Sequence, residues 1–84
     1  MTIHYHPQFR ISYKNLPVQI KKKAEKKEVI FKNNPHDPRL KTHKLHGKLK
    51  KLWGFSIDKN YRIIFEFLGK DIVFLDIGTH SLYK

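Results

Sequence analysis

Cysteine is absent from this 84-residue chain, so no disulfide and no thiolate metal site can form, which fits a reducing cytosol. Acid is scarce. Seven Asp/Glu stand against 18 Lys/Arg, for a formal charge of +11, and none of the seven falls between Asp37 and Asp58. No apolar run approaches the roughly 20 residues needed to span a bilayer. The opening residues 1–7 lack the apolar core of a signal peptide, so a soluble cytoplasmic protein is expected. There is no P-loop, no G-x-G-x-x-G, no Ser-His-Asp signature and no zinc-finger spacing. ATP-driven and serine-hydrolase chemistry therefore have no support. Repeats, low-complexity tracts and linkers are also missing, and the length implies one domain over residues 1–84. A chain this small buries only about 60% of its unfolded surface, so its core is modest.

Ile3 and Tyr5 alternate with polar neighbours, which predicts a short strand over 2–5. Pro7 interrupts it, and Phe9 and Tyr13, four apart, predict a short helix over 7–13. A second helix is expected over about 16–32, with Asn15 as N-cap, Pro17 in the first turn, and Leu16, Ile20, Ala24 and Phe31 on one stripe. Lys21–Glu25 and Glu28–Lys32 are spaced for i,i+4 pairs on its charged exterior. Asn33-Asn34-Pro35 ends it. Residues 33–51 read as a long irregular connection, with Leu40, Leu45 and Leu49 as anchors and a turn at Gly47. Trp53, Phe55 and Ile57 then alternate, and Asp58-Lys59-Asn60 supplies a hairpin turn. Tyr61, Ile63, Phe65 and Phe67 share one face of the next strand, and Arg62, Ile64 and Glu66 the other. Residues 72–77 form an apolar run broken only by Asp76 and ended by Gly78. The order predicts an α+β domain with a largely antiparallel sheet.

Residues 39–51 hold six Lys/Arg, two His and no acid. Arg39, Lys41, Lys44, Lys48, Lys50 and Lys51 are dense enough to contact several phosphates, in binding that weakens steeply with salt. A solvated basic face is the plainer alternative. His43 and His46 lie in this stretch, and His80 follows the last strand. Metal-free RNA cleavage needs a base for the 2′-hydroxyl proton, an acid for the leaving 5′-oxygen, and cations for the charged phosphorane. Imidazole titrates in the right range. Arg62, on the strand face opposite the aromatics, is placed to grip a phosphate, with pairing to Glu66 as the structural alternative. His43-x-x-His46 could present two metal ligands, with Asp76 and His80 as conceivable additions, but the surrounding cations disfavour a bound cation. Tyr83, just after His80, is the best-placed ring for base stacking, or else an anchor for the tail.

Taken together, the basic helix ending in Asn34-Pro35, Leu40-x-x-His43-x-Leu45-x-Gly47, Trp53, Tyr61-Arg62-Ile63-Ile64-Phe65 and Ile77-Gly78-Thr79-His80-x-x-Tyr83 resemble the RelE/ParE superfamily of type II toxin–antitoxin toxins, most closely its YafQ branch. The resemblance runs over nearly the whole chain. It implies a twisted antiparallel sheet with helices on one side and an RNA-cutting surface on the other. The implied activity is that of a ribosome-dependent endoribonuclease, an mRNA interferase. It cuts translated mRNA without metal or other cofactor, leaving a 2′,3′-cyclic phosphate and a 5′-hydroxyl, and it is neutralised by a cognate antitoxin. His43, Arg62 and His80 match the family's catalytic positions, and Tyr83, the fourth catalytic candidate, is near the place where those toxins carry a terminal aromatic. Lys41, Lys44, His46, Lys48, Lys50 and Lys51 are then the RNA-binding set. Ser56 and Asn60 stand where the YafQ pattern has a histidine and an aspartate, and the loop has no counterpart of the YoeB glutamate. A mixed set is thus implied, in which His43 or His80 exchanges protons while Arg62 and a loop lysine carry the phosphate. The alternatives are a non-catalytic gyrase inhibitor of the ParE kind and a plain RNA-binding module.

Overall fold

A computed structural model of the chain describes residues 1–47 and 51–83. Among these residues, five strands form one sheet: β1 (Ile3–Tyr5), β2 (His43–Lys44), β3 (Trp53–Ser56), β4 (Arg62–Leu68) and β5 (Asp71–Gly78), in the spatial order β1-β5-β4-β3-β2. All neighbours are antiparallel except β1, which pairs parallel to β5. Helices α1 (Pro7–Lys14) and α2 (Val18–Asn33) join β1 to the rest. No helix among the described residues is long and apolar enough to cross a membrane.

The first helix starts where its chemistry allows. The His6 Nδ1 accepts from the Gln8 N–H at 3.0 Å, and Pro7 fills the first helical position, where its missing N–H costs nothing. Asn15 does not cap the second helix as its position predicts. Its N–H closes α1 by donating to the Ser12 carbonyl, the Leu16 N–H donates to the Tyr13 carbonyl, and α2 begins at Val18 behind Pro17 with no side-chain cap. Phe9 and Tyr13 do share a face, stacked with centroids 6.0 Å apart.

The core lies between these helices and one side of the sheet. Phe31 is fully buried and packs on Phe55, Phe65 and Phe74, with centroids 4.8, 5.0 and 5.3 Å away. Ala24, one stripe position earlier, is buried with it. The expected i,i+4 ion pairs of α2 are not made. Glu25 and Glu28 instead accept from the hydroxyls of Tyr13 and Tyr5, which ties the helices together and to β1.

The connection after α2 is more ordered than its sequence implies. Asn34 Oδ1 accepts from the His36 N–H, and Asp37 caps a 3₁₀ turn over Pro38–Leu40. Strand β2 follows, where the sequence predicts an irregular stretch. Arg39 donates twice to Asp37, at 3.0 and 2.9 Å, so its charge is committed locally rather than to the loop. Those side-chain bonds, followed by the Arg39 backbone N–H, hold the Asp37 carboxyl down at about 2. A lowered carboxyl favours the fold at pH above its ordinary range, and the contribution is lost as pH falls through about 2. Carboxyl-carbon NMR should give an Asp37 midpoint near 2, and Arg39→Ala should move it up towards the ordinary value of about 4.

Candidate active site

Residues paired across neighbouring strands project to the same side of the sheet. Trp53↔Phe65, Phe55↔Ile63 and Ile63↔Ile77 therefore define the side covered by the helices. His43↔Gly54↔Ile64↔Asp76 form one row on the other side, and Ser56↔Arg62↔Gly78 form the next. The alternation expected for residues 61–67 holds, and it sends Arg62 to the uncovered side. Two strand spacings across and two residues along the strand put the backbones of His43 and Arg62 roughly 12 Å apart.

His43 is exposed, and its ring is aimed by the backbone before it. Lys41 has a left-handed φ of 52°, uncommon for a residue with a side chain. The turn presents the Lys41 carbonyl to His43 Nδ1 at 3.0 Å. A carbonyl only accepts, so Nδ1 carries a proton and Nε2 is the atom that can gain or lose one.

Arg62 is half-buried, with its Nε and Nη1 screened from solvent. Beside it, Gly78 serves as a seat. A Cβ there would meet Leu82 Cγ and Cδ2 at 3.2 Å. Because Gly78 shares Arg62's side, Leu82 folds the closing 3₁₀ turn (His80–Tyr83) over the uncovered face. His80 stands exposed at the start of that turn, two residues beyond Gly78, the β5 partner of Arg62. Tyr83 closes the same turn.

The residues expected to bind RNA are divided. Lys44 pairs with Trp53 and projects to the helix side, away from His43. Lys41, His46 and Lys51 are exposed around β2. Lys48 and Lys50, like the anchor Leu49, lie outside the described residues. Ser56 is in Arg62's own row, while Asn60 sits in the β3–β4 turn, where its N–H is bound by Asp58 Oδ1 at 2.8 Å. A cavity of about 380 Å³ between α1, α2 and Phe74 lies on the helix side, opposite these residues.

One residue of this face is undervalued by its sequence. Asp76, half-buried, projects beside Ile64 and diagonally to Arg62. Its signal is a single acid inside an otherwise apolar strand. Among the described residues, no group of three or more His, Asp or Glu side chains is arranged to hold a metal ion.

No protein-family model matches the sequence, and no curated protein matches it. Solved structures do. YafQ from E. coli strain BL21(DE3) superposes with a TM-score of 0.80 at 23% identity, over 95% of this chain and 93% of that one. A YoeB/ParE toxin from Agrobacterium tumefaciens gives 0.78 at 15% identity, over 95% and 99%. The fold is RelE/ParE-like. The E. coli DinJ–YafQ toxin–antitoxin complex matches with a TM-score of 0.77 at 23% identity, over 95% and 92%, so this RelE/ParE-like fold is one that occurs in antitoxin-bound toxins.

Proposed function

We propose that this chain is the toxin of a type II toxin–antitoxin pair, and that it cuts translated mRNA on the ribosome. The observation that carries the reading is the strand register. It sets His43, Arg62 and the His80 turn on the one sheet face that the helices leave uncovered, on a chain of charge +11. RNA lies along this face, with its backbone drawn to the loop cations and the scissile phosphate at Arg62. The 2′-oxygen attacks its own phosphorus, the P–O5′ bond breaks, and a 2′,3′-cyclic phosphate and a 5′-hydroxyl result. His43 Nε2 and His80 are the imidazoles available to exchange protons, and Tyr83 belongs to the same site. Side chains supply the whole reaction, with no metal or other cofactor. The cognate antitoxin, by this reading, lays an acidic or amphipathic segment across the same cations in the cytoplasm.

Primer extension on an mRNA being translated in a purified bacterial system tests this. Codon-phased cuts are expected with the parent chain. A folded parent that yields none, and instead arrests DNA gyrase or only binds RNA, overturns the reading. Salt dependence tests the loop. Each phosphate contact on single-stranded RNA adds about 0.7 to the slope of log K against log salt. The double variant Lys41→Ala/Lys51→Ala should flatten that slope by roughly 1.4, and an unchanged slope would remove both lysines from the RNA path.

A further inference from the structure

Strand β5 carries an irregularity whose effect falls on one residue. Phe65 pairs with Phe74, but its neighbour Ile64 pairs with Asp76, so Leu75 is an extra residue in β5. The burial pattern records the slip. Ile72 and Phe74 are buried two apart, and the next buried residue, Ile77, comes three later. In an unbroken strand Asp76 would share the side of Ile72 and Phe74 and sit in the aromatic core. The bulge turns it to the uncovered face and sends Ile77 into the core in its place. Bulges of this kind are used near active sites to re-aim a side chain.

The new position is specific. Asp76 is diagonal to Arg62 on the adjacent strand, with backbone positions roughly 7–8 Å apart, nearer than His43, which is two strands from Arg62. The strand also leads from Asp76 through Gly78 directly to the His80 turn. Its carboxylate is half committed. Oδ1 accepts from the Ile77 N–H at 2.8 Å, and Oδ2 has no hydrogen-bond partner among the described residues. Other acids of this face are placed differently. Asp71 accepts from His4 at 3.1 Å, and Glu66 lies one row beyond Ile64, away from His80. A carboxylate beside a bound phosphate is repelled by it, so it must meet a donor on the substrate. The donor next to a scissile RNA phosphate is the 2′-hydroxyl.

We infer that Asp76 is the general base of the proposed nuclease. Its Oδ2 takes the proton of the 2′-hydroxyl as the 2′-oxygen bonds to phosphorus. The electron pair of the breaking P–O5′ bond stays on the leaving oxygen, which takes a proton from a histidine, while Arg62 holds the phosphate. Asp76 thus supplies the acid that the loop lacks. This inference rests on the nuclease reading.

Single-turnover cleavage of ribosome-bound mRNA by the parent, Asp76→Asn and Asp76→Glu, across pH, is the test. Asparagine retains the oxygen that accepts from Ile77, so the strand should keep its form, as circular dichroism would verify. Asp76→Asn should cut about 10²-fold more slowly or worse with mRNA affinity within a few-fold of the parent. Its rate should lose the parent's acidic limb and climb in proportion to hydroxide, which replaces the missing base. Asp76→Glu should restore part of the rate together with the limb, and it serves as the reporting variant if Asp76→Asn is unfolded. The groups sharing this face that also shape the profile are His4 from β1, His43 from β2, Arg62 and Glu66 from β4, Asp71 from β5 and His80 from the closing turn; β3 contributes none. Parent-like cutting by Asp76→Asn, or slower cutting with the parent's profile shape, overturns the inference alone. A folded parent that does not cut overturns the nuclease reading and this inference with it.

Discussion

Replacing His80 with alanine is expected to slow mRNA cleavage by about 10²- to 10⁴-fold while leaving thermal stability within about 0.5 kcal/mol of the parent. The two halves of this expectation have separate causes. His80 is exposed in the last turn, so the fold loses little buried area with its ring. The turn itself is held by Leu82 against Gly78 and by the Leu82 N–H donating to the Thr79 carbonyl at 3.0 Å. Neither contact involves the imidazole. The proposed reaction, in contrast, loses one of its proton-exchanging groups. Primer extension with parent and variant side by side reads the first half, and a melting curve reads the second. Equal cutting by both would remove His80 from the site and leave His43, Arg62 and Asp76 to account for the chemistry.

Phe31→Ala should be the most damaging single change to the fold, costing about 3–5 kcal/mol. Phe31 is fully buried at the point where α2 meets the sheet, and it touches aromatic rings from β3, β4 and β5 at once. Truncation leaves a ring-sized void that three strands would have to close together, and a sheet held by its own ladder bonds collapses poorly. For a domain of this size the loss corresponds to a fall in melting temperature on the order of 12–40 °C. Leu68→Ala is the control, since Leu68 is 52% exposed at the end of β4 and its loss should stay within about 0.5 kcal/mol. A Phe31→Ala melting temperature within a few degrees of the parent would mean that the core does not centre on this ring.

Much of the architecture is legible because local rules agree with each other. The two-residue alternation of β4 places Ile63, Phe65 and Phe67 on one side and Arg62 on the other with no knowledge of neighbours. Asp58 announces its turn through a side chain that can accept the N–H groups of Asn60 and Tyr61, as it does at 2.8 Å. Asn34-Pro35 stops a helix wherever it occurs. The assignment of Asn15 as an N-cap fails for a related reason. Between two helices a capping residue serves either end, and Pro17 decides the matter by pushing the start of α2 to Val18. The two-residue strand β2 is equally hidden, because the strand it pairs with, β3, comes more than eight residues further on.

The sequence by itself determined the charge, the two helices, the antiparallel strands after residue 52 and the side of the sheet to which Arg62 points. Composition, capping and short-range periodicity are properties of contiguous residues. Only the tertiary structure decided which charged groups share a surface. Pairing of β2 with β3 sends His43 and Lys44 to opposite faces, although both stand in the same basic stretch. Parallel pairing of β1 with β5 adds His4 to the uncovered face. The extra residue at Leu75 reverses the direction of Asp76, because a single slip in register exchanges the faces of every residue beyond it. Register is fixed by burying the long aromatic rows of β3, β4 and β5 against Phe31, a requirement set by residues far apart in the chain.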